Sequence, residues 1–164
     1  MNQYLLTVFG SIPLDAPEEF YDGEAVVNGQ NISLDLNLEG PSIAPERLDG
    51  VRRMLGSLPE QDACNRQWME EALADGEEDT IRMYIDHHLE LAGAEPEDAD
   101  PLAAPDSRDA HFIRRLQLVR VGFYPDSDEG YTLFDYSIDP ALTDYLIVVR
   151  VDAYGELEYL ALES

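Results

Sequence analysis

The sequence predicts an α+β domain: a mainly antiparallel sheet built from N-terminal and C-terminal strands, with a central three-helix segment packed on it. Three observations carry that expectation. Apolar residues alternate with polar ones before Gly40-Pro41, recur at helical spacing from about Pro45 to Ala92, and alternate again from near His111. Strands gathered at both ends around a helical middle make the α+β pattern, not the repeating βα one. With 164 residues and no internal repeat, 1–164 reads as one domain able to bury a real core.

Residues 3–9, QYLLTVF, read as a first strand ended by Gly10, and SIPLDAPEEFYDGE as a proline-bearing acidic loop leading to a short strand through Ala25 and Val27. Asn28-Gly29 is a strong hairpin signal, because both residues tolerate positive φ. In NISLDLNL, Ile32, Leu34, Leu36 and Leu38 alternate with Asn31, Ser33, Asp35 and Asn37, a strand with one buried and one wet face. Leu48, Val51, Leu55 and Leu58 then mark a helix opening at Pro45. A second helix after Pro59 carries Trp68, Met69, Ala72 and Leu73 and closes at Gly76; Asp79 caps a third, with Ile81, Tyr84, Ile85, His88, Leu89 and Ala92 in one stripe.

Residues 93–110 are acidic, proline-rich and aperiodic, and read as a flexible loop. Strand character returns in HFIRRLQLVRVGFYP, where the apolar phase shifts between Leu118 and Val119 and predicts a bulge. From Tyr131 to Leu162 the sequence predicts three antiparallel strands, broken by Asp139-Pro140 and by a turn at Asp152-Ala153-Tyr154-Gly155. Ile147 and Val149 are its expected core, and Arg150 is expected to pair with a neighbouring carboxylate such as Asp135.

The segments Phe134–Ile138, Leu142–Leu146 and Leu162–Ser164 resemble the ending of a family of bacterial proteins of unknown function. The likeness covers about the last fifth of the chain. It implies a bacterial cytosolic accessory protein and transfers no functional residue.

Charge is the extreme property. Asp and Glu number 35 against 10 basic residues, for a net charge of -25, and every basic residue is arginine. Lacking lysine, the chain has no P-loop lysine, Schiff-base lysine or kinase-type ATP lysine. Such acidity repels nucleic acid and anionic membranes and favours basic partners or plain solubility. No apolar run reaches the ~20 residues of a membrane span. The basic-free start MNQYLLTVFG shows no signal-peptide pattern, so a cytoplasmic location is expected. The single Cys64 fits a reducing compartment, and its place in a helix predicts a small buried apolar residue.

Candidate chemistry is sparse. Asp86-His87-His88 resembles the motif of the DHH phosphoesterases, where Asp-His-His contributes to a metal site. Here it lies inside an amphipathic helix, where adjacent positions diverge by about 100° and cannot easily share one ion. His88 continues the apolar stripe as a satisfied histidine, while His87 faces solvent with Glu90 as a possible ion-pair neighbour. Asp126, Asp128 and Glu129 offer oxygen ligands but miss the EF-hand pattern, and a polar turn explains them. There is no G-x-S-x-G elbow and no Gly-rich phosphate loop after a strand. No enzyme activity, metal or cofactor is expected.

Binding remains. Asp15, Glu18, Glu19, Tyr21, Asp22 and Glu24 near the start, and Glu95, Glu97, Asp98 and Asp100 in the long loop, are the candidate contacts for a cationic protein partner. The expected role is that of an immunity protein, which binds and neutralises a toxin with a basic surface. The competing expectation is a small-ligand or metal binder, or an enzyme, with a pocket between sheet and helices.

Overall fold

The structure, a computed structural model, describes residues 2–75, 80–91, 112–127, 131–141 and 143–163. A hairpin of β1 (Gln3–Leu6) and β2 (Gly10–Pro13) comes first, then β3 (Phe20–Val27) and β4 (Gln30–Asn37). Three helices follow: α1 (Pro45–Leu55), α2 (Leu58–Asp75) and α3 (Thr80–Leu91). The chain returns through β5 (Gln117–Phe123), β6 (Thr132–Ser137), β7 (Leu146–Val151) and β8 (Leu157–Glu163). This is the expected α+β architecture.

Strands β3 to β8 form one six-stranded sheet in chain order. Every neighbouring pair is antiparallel except β4–β5, which is parallel. Parallel neighbours need a long crossover, and here it contains all three helices. The register puts Leu34, Val121, Phe134, Val149 and Leu160 side by side across five strands. All belong to one core cluster with Leu48, Val51, Met69, Ile81 and Ile85 of the helices, so the helices cover this face. Phe134 and Val149 are fully buried, and each such side chain stabilises the fold by about 1.5–3 kcal/mol. Ile147 and Val149 thus lie in the core as expected, on a strand with neighbours on both sides, one in from the edge.

The β1–β2 hairpin packs on the same face. Phe9 meets Phe123 edge-on at 6.3 Å, and a Cβ on Gly23 would lie only 2.7 Å from the Val8 carbonyl oxygen. Gly50, inside α1, has a similar role: a Cβ there would sit 2.5 Å from the Tyr131 hydroxyl, which donates to the Arg47 carbonyl.

Several expectations need correction. The first strand ends at Leu6, and Gly10, with φ 89, opens β2, because the chain folds back through a tight turn. The acidic stretch read as loop joins β3 as far back as Phe20, since pairing with β4 overrides its weak strand propensity. Residues 112–115 form a helical turn ahead of β5. Cys64 is exposed: α2 buries Leu58, Asp62, Asn65 and Met69, and Cys64 lies off that stripe. Arg150 does not pair with Asp135, because the register sets it opposite Leu133 and Tyr159. It ion-pairs with Glu158 at 3.8 Å and stacks 4.4 Å above the Tyr159 ring. The expected bulge is present, as a register shift between Leu118 and Arg120. Gly76, Asp79, Asp128, Glu129 and the 93–110 loop lie outside the described residues.

Candidate binding surface

Strand β3 is one edge of the sheet, and its geometry follows from the turn that closes it. Asn28 and Gly29 take φ of 51° and 79°, both positive, as a two-residue primed hairpin turn requires. Such a turn makes its flanking residues, Val27 and Gln30, a hydrogen-bonded pair, and pairs of that kind recur at every second residue. Tyr21, Gly23, Ala25 and Val27 therefore bond to β4. Phe20, Asp22, Glu24 and Val26 aim their backbone N–H and C=O groups outward, and among the described residues nothing meets them.

Side chains follow the same alternation. Tyr21, Ala25 and Val27 point toward the helices. Phe20, Asp22, Glu24 and Val26 point to the opposite face, where Phe20 is 56% and Val26 67% exposed. The outer residues of β3 thus read apolar, acidic, acidic, apolar. No cation lies within ion-pair distance of Asp22 or Glu24 among the described residues.

The other sequence-derived contacts fall around this strand. Asp15 bridges to Ser42, the Glu18 N–H donates to the Tyr21 hydroxyl at 3.0 Å, and the Glu19 carbonyl accepts from Leu38 at 2.9 Å. The carboxylates of Asp15, Glu18 and Glu19 are exposed with those of Asp22 and Glu24. Tyr21 is half-buried against the core, and its hydroxyl holds the chain at Glu18 on the approach to β3. Glu95, Glu97, Asp98 and Asp100 lie outside the described residues.

Further along the same face stands a cluster that sequence reasoning missed. The bulge at Val119 turns Arg120 away from the core. Its guanidinium donates to both Asp35 oxygens at 2.6 and 2.7 Å, to Asp135 at 3.1 Å and to the Tyr124 hydroxyl at 2.8 Å. Gly122 makes room for it, since a Cβ there would lie 2.5 Å from the guanidinium. Hydrogen bonding to Asp35 raises the Arg120 pKa, with burial working against it. Burial raises the Asp135 carboxyl above its ordinary 3.8, while Arg120 pulls it down. With two carboxylates on one guanidinium, the cluster carries net negative charge and clips β4, β5 and β6 together. Its carboxylates are engaged by the guanidinium, and its arginine is not free to take an anion.

The remaining polar groups serve the fold. Asp62, only 4% exposed, accepts from Arg66, Asn28 and the Tyr136 hydroxyl, and Asn65 donates to that hydroxyl. This ties α2 to the β3–β4 turn and to β6. His88 is satisfied as expected: Nδ1–H donates to the Tyr84 carbonyl at 2.7 Å, and Nε2 accepts from the Thr143 hydroxyl at 3.0 Å. Burial pushes its pKa below the ordinary 6.5. His87 and Asp86 are exposed, and Asp86 pairs with Arg82 at 3.6 Å. Asp126 caps backbone, accepting from the Glu39 N–H at 2.7 Å. Among the described residues no group of three or more His, Cys, Asp or Glu could hold a metal.

One open cleft of ≈ 500 Å³ lies beside α1, lined by Glu46, Arg47, Gly50, Arg53, Tyr131 and Asp152 among others. Burial pushes the Tyr131 phenol up to about 12, so it stays protonated. Two arginines and two carboxylates line it, and Asp152 already accepts from the Tyr154 and Glu156 N–H groups. No helix is long and apolar enough to cross a membrane among the described residues. No family model, curated protein or solved structure matches the chain.

Proposed function

We propose that this chain is an acidic binding protein that engages the basic surface of a protein partner, and that it acts as an inhibitor of the immunity-protein kind. The observation that carries the reading is the outer face of β3, where unneutralised Asp22 and Glu24 sit between exposed Phe20 and Val26. Aromatic and aliphatic anchors beside like charges provide both the desolvated contact and the steering field of a protein interface. The net charge of -25 extends that field over the surface. The Arg120 cluster, the buried Asp62 network and His88 all have structural partners, which leaves β3 as the strongest unsatisfied feature of the described surface.

The test is capture of a partner on the immobilised protein, followed by association kinetics at increasing salt. Association is expected to slow steeply as the Debye length falls to about 8 Å and below, with dissociation changing less. The double substitution Asp22→Asn, Glu24→Gln should slow association at low salt and leave the unfolding midpoint unchanged. Salt-independent association, or no response to the double substitution, would contradict the reading.

A further inference from the structure

We infer that the β3 edge binds its partner by strand addition, taking up an extended basic segment as a seventh strand of the sheet. This rests on the acidic-binder reading and specifies its geometry. Four residues in alternation, Phe20, Asp22, Glu24 and Val26, leave their backbone N–H and C=O groups unused along an edge that is free among the described residues. The strand is eight residues long, without bulge or proline, so a partner strand meets an unbroken row of donors and acceptors. Natural edges are ordinarily blunted by shortness, proline, bulges or charge, and β3 carries only the last.

The charge selects the occupant. Antiparallel pairing of β3 with β3 of a second copy, centred on Gly23, would oppose Asp22 to Glu24 twice over. Like charges directly opposite destabilise a sheet. Asp22 already lies opposite Asp35 in β4, where Arg120 neutralises Asp35, whereas a second copy brings no cation, so self-pairing is disfavoured at neutral pH. A foreign strand is accepted when the side chains it presents on that face read apolar, basic, basic, apolar. Its basic pair then faces Asp22 and Glu24, and its apolar ends cover Phe20 and Val26. The pattern is the same in either direction, so it defines the partner segment without fixing parallel or antiparallel addition. The face beside β3 continues as polar Ser33, Asp35 and Asn37 of β4, which favours a solvated partner strand over an apolar one.

The probe is a synthetic peptide in which threonine alternates with isoleucine, arginine, arginine and isoleucine, in that order. A control of the same composition carries its arginines adjacent. Binding is measured by titration calorimetry at low salt. The alternating peptide is expected to bind about tenfold tighter than the control, the equivalent of one or two well-made contacts. Two variants separate charge from backbone. Glu24→Gln and Glu24→Pro remove the same charge, but only the proline removes the outward N–H, and it breaks no bond to β4. Gly23 before it tolerates the conformation that proline imposes. With both variants folded by circular dichroism, Glu24→Pro should bind about tenfold more weakly than Glu24→Gln. Equal binding by the two variants, or equal binding of the two peptides, would overturn strand addition and leave the acidic-surface reading standing. Binding of neither peptide would remove both. A dimer of the unmodified protein at neutral pH would make a second copy the occupant and refute the proposal.

Discussion

The two edges of the six-stranded sheet are built differently. Strand β8 slips register against β7 near Val151, so its ladder is interrupted, and one of its two carboxylates is spent internally: Glu158 pairs with Arg150, which also lies over Tyr159. Helix α3 packs beside it. Strand β3 keeps register with β4 through all eight residues, and its two central carboxylates have no cation among the described residues. A bulge and internal pairing close an edge, whereas uncompensated charge on a regular edge closes it only to like charge. On the proposed strand addition, β3 would thus be selective and not merely protected.

The largest expected effect contrasts the interior with that edge. Val149→Asp buries an unpaired carboxylate in the core and should abolish folding, at a cost of several kcal/mol. Val26→Asp, the same chemistry on β3, should cost no more than about 1 kcal/mol, the span of strand propensity at an exposed position. Urea unfolding of both checks this; equal losses would mean that β3 is covered.

Next is the clip beside the edge. Arg120→Met leaves Asp35 and Asp135 facing each other without their cation and should cost about 3 kcal/mol at neutral pH, near the low end for a broken buried pair because the guanidinium is partly solvated. In the variant, stability should recover as pH is lowered and one carboxyl takes a proton. A loss that does not depend on pH would mean that packing, and not charge, is what Arg120 supplies.

The smallest effect concerns the other edge. Folded His88 has a pKa below the 6.5 of the unfolded chain, so between the two values the unfolded chain binds more protons. Its contribution is full above about 6.5 and is lost as pH falls through the lowered value. Protonation would also put a proton on Nε2, where the ring now accepts from Thr143, with exposed His87 and Tyr145 as the nearby titratable rings. Protection factors of the β8 amides, which remove the intrinsic slowing of exchange in acid, should therefore fall with pH more than in a His88→Gln variant, while β3 shows no such difference.

Much of the fold was legible because it rests on local periodicity. The Asn28-Gly29 turn, the alternation in β4, the three helices and the phase shift at Val119 each follow from neighbours in sequence. What escaped depends on pairing. Phe20, Asp22, Glu24 and Val26 alternate in the sequence too, but Pro17 and Gly23 disguise the strand until β4 lies beside it. Asp35 and Arg120 are 85 positions apart and meet only through the parallel β4–β5 register. Asp62 is an ordinary helical acid in the sequence and becomes a core residue through Tyr136 and Arg66. Of the candidate contacts, the acidic run near Asp22 was visible, while its exposed apolar ends and its unpaired backbone were not.

Amide hydrogen exchange in β3, followed by NMR with and without the alternating peptide, tests the central claim most directly. In the free protein, Tyr21, Gly23, Ala25 and Val27 should be protected by β4, while Phe20, Asp22, Glu24 and Val26 exchange freely. Saturating peptide should slow exchange at those four residues and leave β8 unchanged. Peptide bound with the four amides still exchanging freely would contradict strand addition at this edge.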